Sequence, residues 1–411
     1  MFAVRLMCTC YGMYTRAISN LVVPLTHEVT AMRTTDTARR CARPSGAVSP
    51  PSNRRGDIDS TKRRSARLTT RGSRISAPAT RTTTTRTTSA VCGQSADQKG
   101  NMSHADFYFS QLVQAYVDCR RGKRNAISAL AFEINLERNL CRLADDLRSG
   151  SYTPGTSICF DVHRPKPREV WAADFRDRIV HHLLYNHVGP DIEAQFISDS
   201  CACIKTRGTL YAANRLERKI RSVTQNWSQP AHYLKLDLAN FFVSIDKHVL
   251  QTQLSSLISA PWWRDLALQV LWHDPRLDYR RHALPGATDL VPPHKRLTNQ
   301  PAHLGLPIGN LSSQFFANVY LDALDQFVKH QVRARHYIRY VDDFILLHHS
   351  PQWLNAAKQQ IEAFLPQLGV RLNDRKTILQ PVDRGVDFVG HVIRPWHRST
   401  LYAGSFDTFS W

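Results

Sequence analysis

Three aspartates stand out by their surroundings. Asp342 and Asp343 are adjacent, with Tyr340-Val341 before them and Phe344-Ile345-Leu346-Leu347 after. Two carboxylates in so apolar a setting repel each other and resist losing water. Divalent cations relieve both problems. An Asp-Asp pair taken alone is more often a solvated hairpin turn, because Asp is a turn residue. Asp237 shifts that balance, since it too ends an apolar strand, Leu236-Asp237-Leu238-Ala239-Asn240-Phe241-Phe242. Carboxylates on two neighbouring strands can hold two hard cations ~3.5–4 Å apart, the arrangement of phosphoryl-transfer enzymes. Mg²⁺ suits such a site because it takes one or two carboxylates and leaves places for water and phosphate oxygens. Mn²⁺ is the expected substitute. Lys166 and Arg168, in Arg164-Pro165-Lys166-Pro167-Arg168, could meet a triphosphate as point charge and fork. A solvated basic hairpin is the competing reading of that segment.

The elements that must position these groups follow from periodicity. Tyr233–Ala239 alternates with period two and predicts a strand, with Leu234, Leu236 and Leu238 on one face and Lys235 and Asp237 on the other. His336–Leu347 predicts a hairpin with Val341-Asp342-Asp343 at its tip. Helical stripes run through Phe109, Leu112, Val113, Tyr116 and Val117, and through Ile127, Leu130, Ile134, Leu140, Leu143 and Leu147, closed by Gly150. Further helices are predicted around Phe175–Val188, Leu210–Val223, Leu250–Ile258 with Asp246 as N-cap, Phe316–Phe327, and Trp353–Leu368. Ser157–Trp171 reads as extended, with the Pro-rich basic run at a hairpin tip. Residues 259–303 are rich in Pro, His and Trp without a period and read as a long loop. Val370–Leu372 and Val386–Ile393 read as short strands. The mixture of sheet and helix predicts an α+β protein with a helical N-terminal part.

Composition narrows the function classes. The 411 residues carry 54 Lys+Arg against 34 Asp+Glu, a formal net charge of +20. Such a charge favours a polyanionic partner. No apolar run reaches the ~18 residues of a membrane-spanning helix. Nine scattered cysteines without a CxxC pair argue against a disulfide framework and a zinc site. They read as reduced thiols of a cytosolic protein. Residues 1–101 hold 15 Arg and 2 Lys against 5 acids, a net of +12 that leaves +8 for the rest. Between Thr61 and Ala90 the chain is almost only Arg, Thr, Ser and Ala, so a disordered basic tail is expected. A basic arm, a transit peptide and non-native sequence upstream of a start at Met102 are the three readings; the third is preferred because periodic sequence begins abruptly after Met102.

Leu236-Asp237…Phe242, Gly309…Ser313, Tyr340-Val-Asp-Asp343, Lys376-Thr377 and Phe388-Val-Gly390 together resemble, in order, the palm motifs A to E of reverse transcriptases. The likeness runs from Ser151 to Ile393. Lys166-Pro-Arg168 with Arg176-Asp177-Arg178 is similar to the fingers of bacterial and group II intron members. Ile308-Gly-Asn-Leu-Ser-Ser-Gln314 resembles the diversity-generating retroelement type, in which Ile308 and Gln314 stand where most members have Gln and Pro. The resemblance implies a right-hand polymerase fold: a helical region at 102–150, fingers and palm at 151–394, and a remnant of a thumb or a frayed tail at 395–411. It implies that Asp237 and Asp342 ligate two Mg²⁺ with the Leu238 carbonyl, and that Asp343 supports or joins them. Phe242 would be the wall that rejects a 2′-hydroxyl, Gln314 would lie near the templating base, and Lys376 would protonate pyrophosphate. Phe388, Val389 and Gly390 would grip the primer. The implied partners are an RNA template, a DNA or RNA primer, dNTPs and an accessory retroelement protein, in the bacterial cytoplasm without a membrane. A defence-associated or retron-like enzyme, an RNA-dependent RNA polymerase and a thumbless RNA-binding palm stay open as alternatives.

Overall fold

The computed structural model of the chain describes residues 107–121, 123, 126–162, 166–282 and 290–400. The Arg/Thr-rich tail 1–101, the start at Met102, the hairpin tip at 163–165 and residues 401–411 lie outside the described residues. Helices α1 (Phe109–Arg120), α2 (Ile127–Glu133) and α3 (Leu136–Ser149) precede a hairpin of β1 (Ser157–Val162) and β2 (Arg168–Ala172). Helices α4 (Phe175–Glu193) and α5 (Thr209–Val223) lead to β3 (His232–Asp237). The short turn α6 (Phe241–Ser244) is followed by α7 (Lys247–Leu257), α8 (Pro261–Trp272) and β4 (Tyr279–His282). Then come α9 (Leu311–His330), β5 (His336–Tyr340), β6 (Asp343–His348), α10 (Pro351–Phe364) and β7 (Ile378–Pro381). Strands β8 (Val386–Phe388), β9 (His391–Arg394) and β10 (His397–Thr400) end the described chain.

The central sheet has the order β5-β6-β3-β7 and is antiparallel throughout. Helices α5, α9 and α10 pack against it. A continuous apolar core runs from Phe107 to Ile393. A second sheet, β2-β1-β4, holds the basic hairpin, and a third, β10-β9-β8, follows β7. Asp246 caps α7 by accepting the His248 N–H at 2.8 Å, and Gly150 closes α3 at φ 72, both as the sequence predicts.

Several expectations need correction. The segment 259–303 is not a featureless loop: Pro261 opens α8, where its missing N–H costs nothing, and Trp263, Leu266, Ala267 and Leu271 bury one face. Farther on, β4 joins β1 in parallel, Ser157 opposite Tyr279. The N-terminal stripes also sit on other faces. In α1 the buried residues are Leu112, Ala115, Tyr116 and Cys119, whereas Phe109 and Val117 are exposed. In and beside α2, Ala126 and Ala129 are buried while Ile127, Leu130 and Ile134 face solvent. Helices α1 and α2 both lie against α4, and small side chains allow the closest approach of helix backbones, so Ala and Cys take the contact. Leu210 of α5 is likewise exposed. Val370–Leu372 forms only an isolated bridge, Leu372 to Leu238. The expected strand is present as β3, and as a central strand it buries Lys235 and Asp237 as well as its leucines; the Lys235 ammonium donates to the Asp387 carbonyl at 3.0 Å. Residues 397–400, expected in a thumb remnant or frayed tail, form β10 against β9.

Candidate active site

The register of the central sheet brings the three aspartates together. Asp237, the last residue of β3, faces Asp343, the first of β6. Tyr340 of β5 faces the same Asp343, so Val341 and Asp342 are the two-residue turn between the strands. The Leu238 amide donates to the Asp342 carbonyl at 3.1 Å, which fixes the turn beside β3. All three carboxylates are buried, at 1% exposure for Asp237, 9% for Asp342 and 3% for Asp343. Oδ1 of Asp342 and Oδ1 of Asp343 have no hydrogen-bond partner. Burial, then Asp343, then Asp237 push Asp342 up to about 7, against the pull of Arg168 and Lys376. Burial also raises Asp343, with Lys235 opposing.

Asp237 is held differently. Its Oδ1 accepts Asn373 Nδ2 at 3.0 Å, its Oδ2 is ion-paired with Lys376, and its carbonyl accepts the Asn373 amide at 2.8 Å. Among the described residues no three His, Cys, Asp or Glu side chains converge as a ready cation cage. The Lys376 ammonium is the positive partner that the patch already contains. Lys166 and Arg168 arrive from the β1–β2 hairpin, both half-buried. Burial lowers the Lys166 ammonium, and Lys376 and Arg168 lower it further; Asp237 opposes them and Lys295 adds to them. Lys166, Arg168 and Lys376, from two chain segments, act on the three carboxylates together with Lys235 of β3. The arrangement can hold a polyanion on its basic side and hard cations on its acidic side.

The family described as "Reverse transcriptase (RNA-dependent DNA polymerase)" matches residues 165–393, more than half of the chain. The chain belongs to the reverse transcriptase family. Protein P of Duck hepatitis B virus (strain United States/DHBV-16) is 32% identical over 87 residues, which are 21% of this chain and 10% of that protein. Apo telomerase from Candida Tropicalis truncated from the C-terminal domain is 13% identical, with a TM-score of 0.46 over 60% of this chain and 55% of that one. A second apo telomerase from Candida Tropicalis is 11% identical, with a TM-score of 0.45 over 60% and 49%. The chain therefore spans a tenth of the viral protein's length and about half of the telomerase chains.

In this member of the family the segment before α9 is fastened to β2. The Trp171 amide donates to the Ile308 carbonyl at 2.7 Å, and the Ala173 amide donates to Asn310 Oδ1 at 3.0 Å. Gly309, at φ +124, sits so close that a Cβ would lie 2.6 Å from the Trp171 oxygen. Only glycine fits there. The start of α9 is thereby fixed beside β2, with Ser312 and Ser313 buried and Gln314 half-buried. Phe242 is 6% exposed within the core and meets Phe241 edge-on at 5.2 Å. Phe388 is buried with its ring edge-on to Tyr340 at 6.5 Å. Val389 and Gly390 form the β8–β9 turn, at φ 48 and φ 84.

Sequence reasoning missed Asn373, whose two bonds clamp Asp237, and Asn310, which joins α9 to β2. It also missed Lys295, carried on the segment that Glu169 holds. The Glu169 carboxylate accepts the Leu297 amide at 2.8 Å and Trp171 Nε1 at 3.0 Å. Asn373 stands three residues before Lys376, and that spacing was the available signal. Lys295 offered none.

Proposed function

We propose that the chain is an RNA-directed DNA polymerase that adds deoxynucleotides to a primer along an RNA template. The observation that carries this reading is the junction of β3 with the β5–β6 turn, where two orphaned carboxylate oxygens, Asp342 Oδ1 and Asp343 Oδ1, lie buried beside Asp237. Oxygen-only donors, buried and mutually repelling, fit hard divalent cations. Asp237 and Asp342, with the Leu238 carbonyl, would hold two Mg²⁺, or Mn²⁺ in its place, and Asp343 would support them. When bound, the ions acidify the primer 3′-hydroxyl and offset charge on the departing pyrophosphate.

The chain's own groups do the rest. Arg168 and Lys166 hold the triphosphate. Lys376 leaves Asp237 and delivers a proton to pyrophosphate. Phe242 presents its ring below the sugar and excludes a 2′-hydroxyl. Phe388, Val389 and Gly390 set the primer end against β5. Gln314, flexible and able to donate and accept, replaces a rigid proline near the templating base, and Ile308 removes a polar contact. These two residues support a diversity-generating bacterial retroelement enzyme of low fidelity, working with an accessory protein of its element.

The experiment copies a defined RNA with the full chain and sequences the cDNA. Errors should concentrate opposite template adenines, and Ile308→Gln with Gln314→Pro should reduce them. Uniformly low error at all four bases would reject the diversity-generating reading and favour a defence-type enzyme. Phe242→Val should raise ribonucleotide incorporation while deoxynucleotide incorporation survives; unchanged sugar choice would make Phe242 a core aromatic only.

A further inference from the structure

Arg339 lies on β5, three residues before Asp342, and is 1% exposed. A guanidinium does not lose its charge, so burying one is costly unless every N–H is matched. Here five donor contacts are made. Nε and Nη2 grip the two oxygens of Asp325 at 2.8 and 2.7 Å. Nη2 also donates to Ser200 Oγ at 2.9 Å. Nη1 donates to Asn318 Oδ1 at 3.3 Å and to the Val341 carbonyl at 3.1 Å. The backbone of Arg339 is fixed too: its amide donates to the Asp199 carbonyl at 2.9 Å, and its carbonyl accepts the Cys201 amide at 3.0 Å.

The contact to Val341 has a specific meaning. Val341 is β-branched yet adopts φ 55, a left-handed conformation that valine avoids. Such a conformation persists only where its surroundings over-determine it. Two hydrogen bonds do so. Arg339 pins the carbonyl before the Asp342 Cα, and the Leu238 amide pins the carbonyl after it. With both peptide planes held, the direction in which the Asp342 Cα–Cβ bond leaves the turn is fixed. The other partners of Arg339 include Asn318 and Asp325 of α9, about one and three turns past Gln314. Asn318 in turn donates to the Ala202 carbonyl at 2.8 Å.

We propose that Arg339 is a positioning residue that holds the Val341–Asp342 turn in its strained form and, through Asn318 and Asp325, ties the aim of the Asp342 carboxylate to the seating of α9. The proposal rests on the polymerase reading. Its consequence is that a displacement of α9 reaches the reacting centre through one buried guanidinium.

The test compares the full chain with Arg339→Lys, which keeps the charge but has no fork to span Asp325 and Val341 together. Turnover in primer extension should fall about a hundredfold, as for other misplacements at a reacting centre, while KM for dNTP and template binding stay as in the wild type. Hydrogen exchange at the Leu238 amide, which needs no polymerisation, should speed up. Wild-type turnover with unaltered Leu238 exchange would overturn the proposal, as would a loss that only tracks the folded fraction. If Arg339→Lys is recovered unfolded, Asn318→Ala keeps the Asp325 fork and tests the same link. Faster Leu238 exchange then supports it, and unaltered exchange overturns it. A wild-type chain that makes no DNA defeats the polymerase reading alone, and the exchange comparison still decides the role of Arg339.

Discussion

Asp237, Asp342 and Asp343 make one buried patch of like charge; Lys123, Arg178, His181 and His182 make another, where α4 is covered by the chain after α1. The basic patch sheds charge. Burial first, then its neighbours, push His181 and His182 each down to about 3, and burial pushes Lys123 down to about 8. Both imidazoles are therefore neutral at pH 7, and the Arg178 Nε donates to the Ala173 carbonyl at 2.7 Å. The acidic patch keeps its charge within reach. Asp342 is lifted only to about 7 because Arg168 and Lys376 oppose the rise, and Lys376 is ion-paired with Asp237. In the basic patch the two imidazoles give up their charge at pH 7, while Lys123, at about 8, and the Arg178 guanidinium keep theirs. In the acidic patch two carboxylate oxygens, Asp342 Oδ1 and Asp343 Oδ1, stay buried without a hydrogen-bond partner.

The contrast gives opposite responses to pH, which can be measured. The largest effect belongs to Asp342→Asn. Primer extension should fall about a thousandfold or more, while the metal-free protein becomes more stable at pH 8. The sign follows from the raised pKa: the stability that Asp342 contributes is complete below its ordinary value of 3.8 and is lost as pH rises through about 7. The variant lacks that loss and should gain roughly 1–4 kcal/mol at pH 8. Thermal melts in chelator, with and without added Mg²⁺, read it; Mg²⁺ should stabilise the wild type more than the variant. A less stable Asp342→Asn at pH 8 would show that the acidic patch is not strained by its charge.

The basic patch should fail in acid. Depressed histidines contribute stability that is present above 6.5 and is lost as pH falls toward 3. Melts of the wild type should weaken between pH 6.5 and pH 4 by roughly 2–3 kcal/mol per histidine. His182→Gln should flatten that profile, and an unchanged profile would remove His182 from the account.

A smaller effect is expected for Lys376→Met. The pair is partly exposed on the lysine side, so its removal should cost roughly 1 kcal/mol in chelator. Stabilisation by Mg²⁺ should then exceed that of the wild type, because the patch has lost its resident cation. Equal stabilisation in the two proteins would separate Lys376 from the cation-binding balance.

Much of this contrast was legible in the sequence on its acidic side only. Apolar runs around Asp237 and Asp342 marked strands: period two marked the strand of Asp237, and the paired runs of His336–Leu347 put Val341-Asp342-Asp343 at a hairpin tip. The stripe of α9, the Asp246 cap and the Gly150 stop were equally plain, because each is a local rule. Nothing local in the sequence said that His181, His182 and Lys123 would be buried together. Nothing local marked Arg339, since its partners Ser200, Asn318 and Asp325 lie far off in the chain. Stripes alone could not choose the buried face of α2, where Ile134 is 79% exposed and Ala129 is fully buried. Close helix packing selects small residues, and hydrophobicity does not report it.

The residue-for-residue pairing of β3, β5 and β6 bears on which mutations of length this gene can survive. Asp237 opposes Asp343, Lys235 opposes Ile345, and Ile338 opposes Ile345 from the other side. Side chains alternate along each strand, so a single codon gained or lost between His336 and His348 turns every later side chain to the opposite face. It would carry one aspartate out of the patch and bring a leucine in. Paired changes keep the parity but shift the hairpin past β3. Drift in this stretch is therefore confined to substitution, and gains and losses of codons belong to the connections between sheets, where no strand has to be matched.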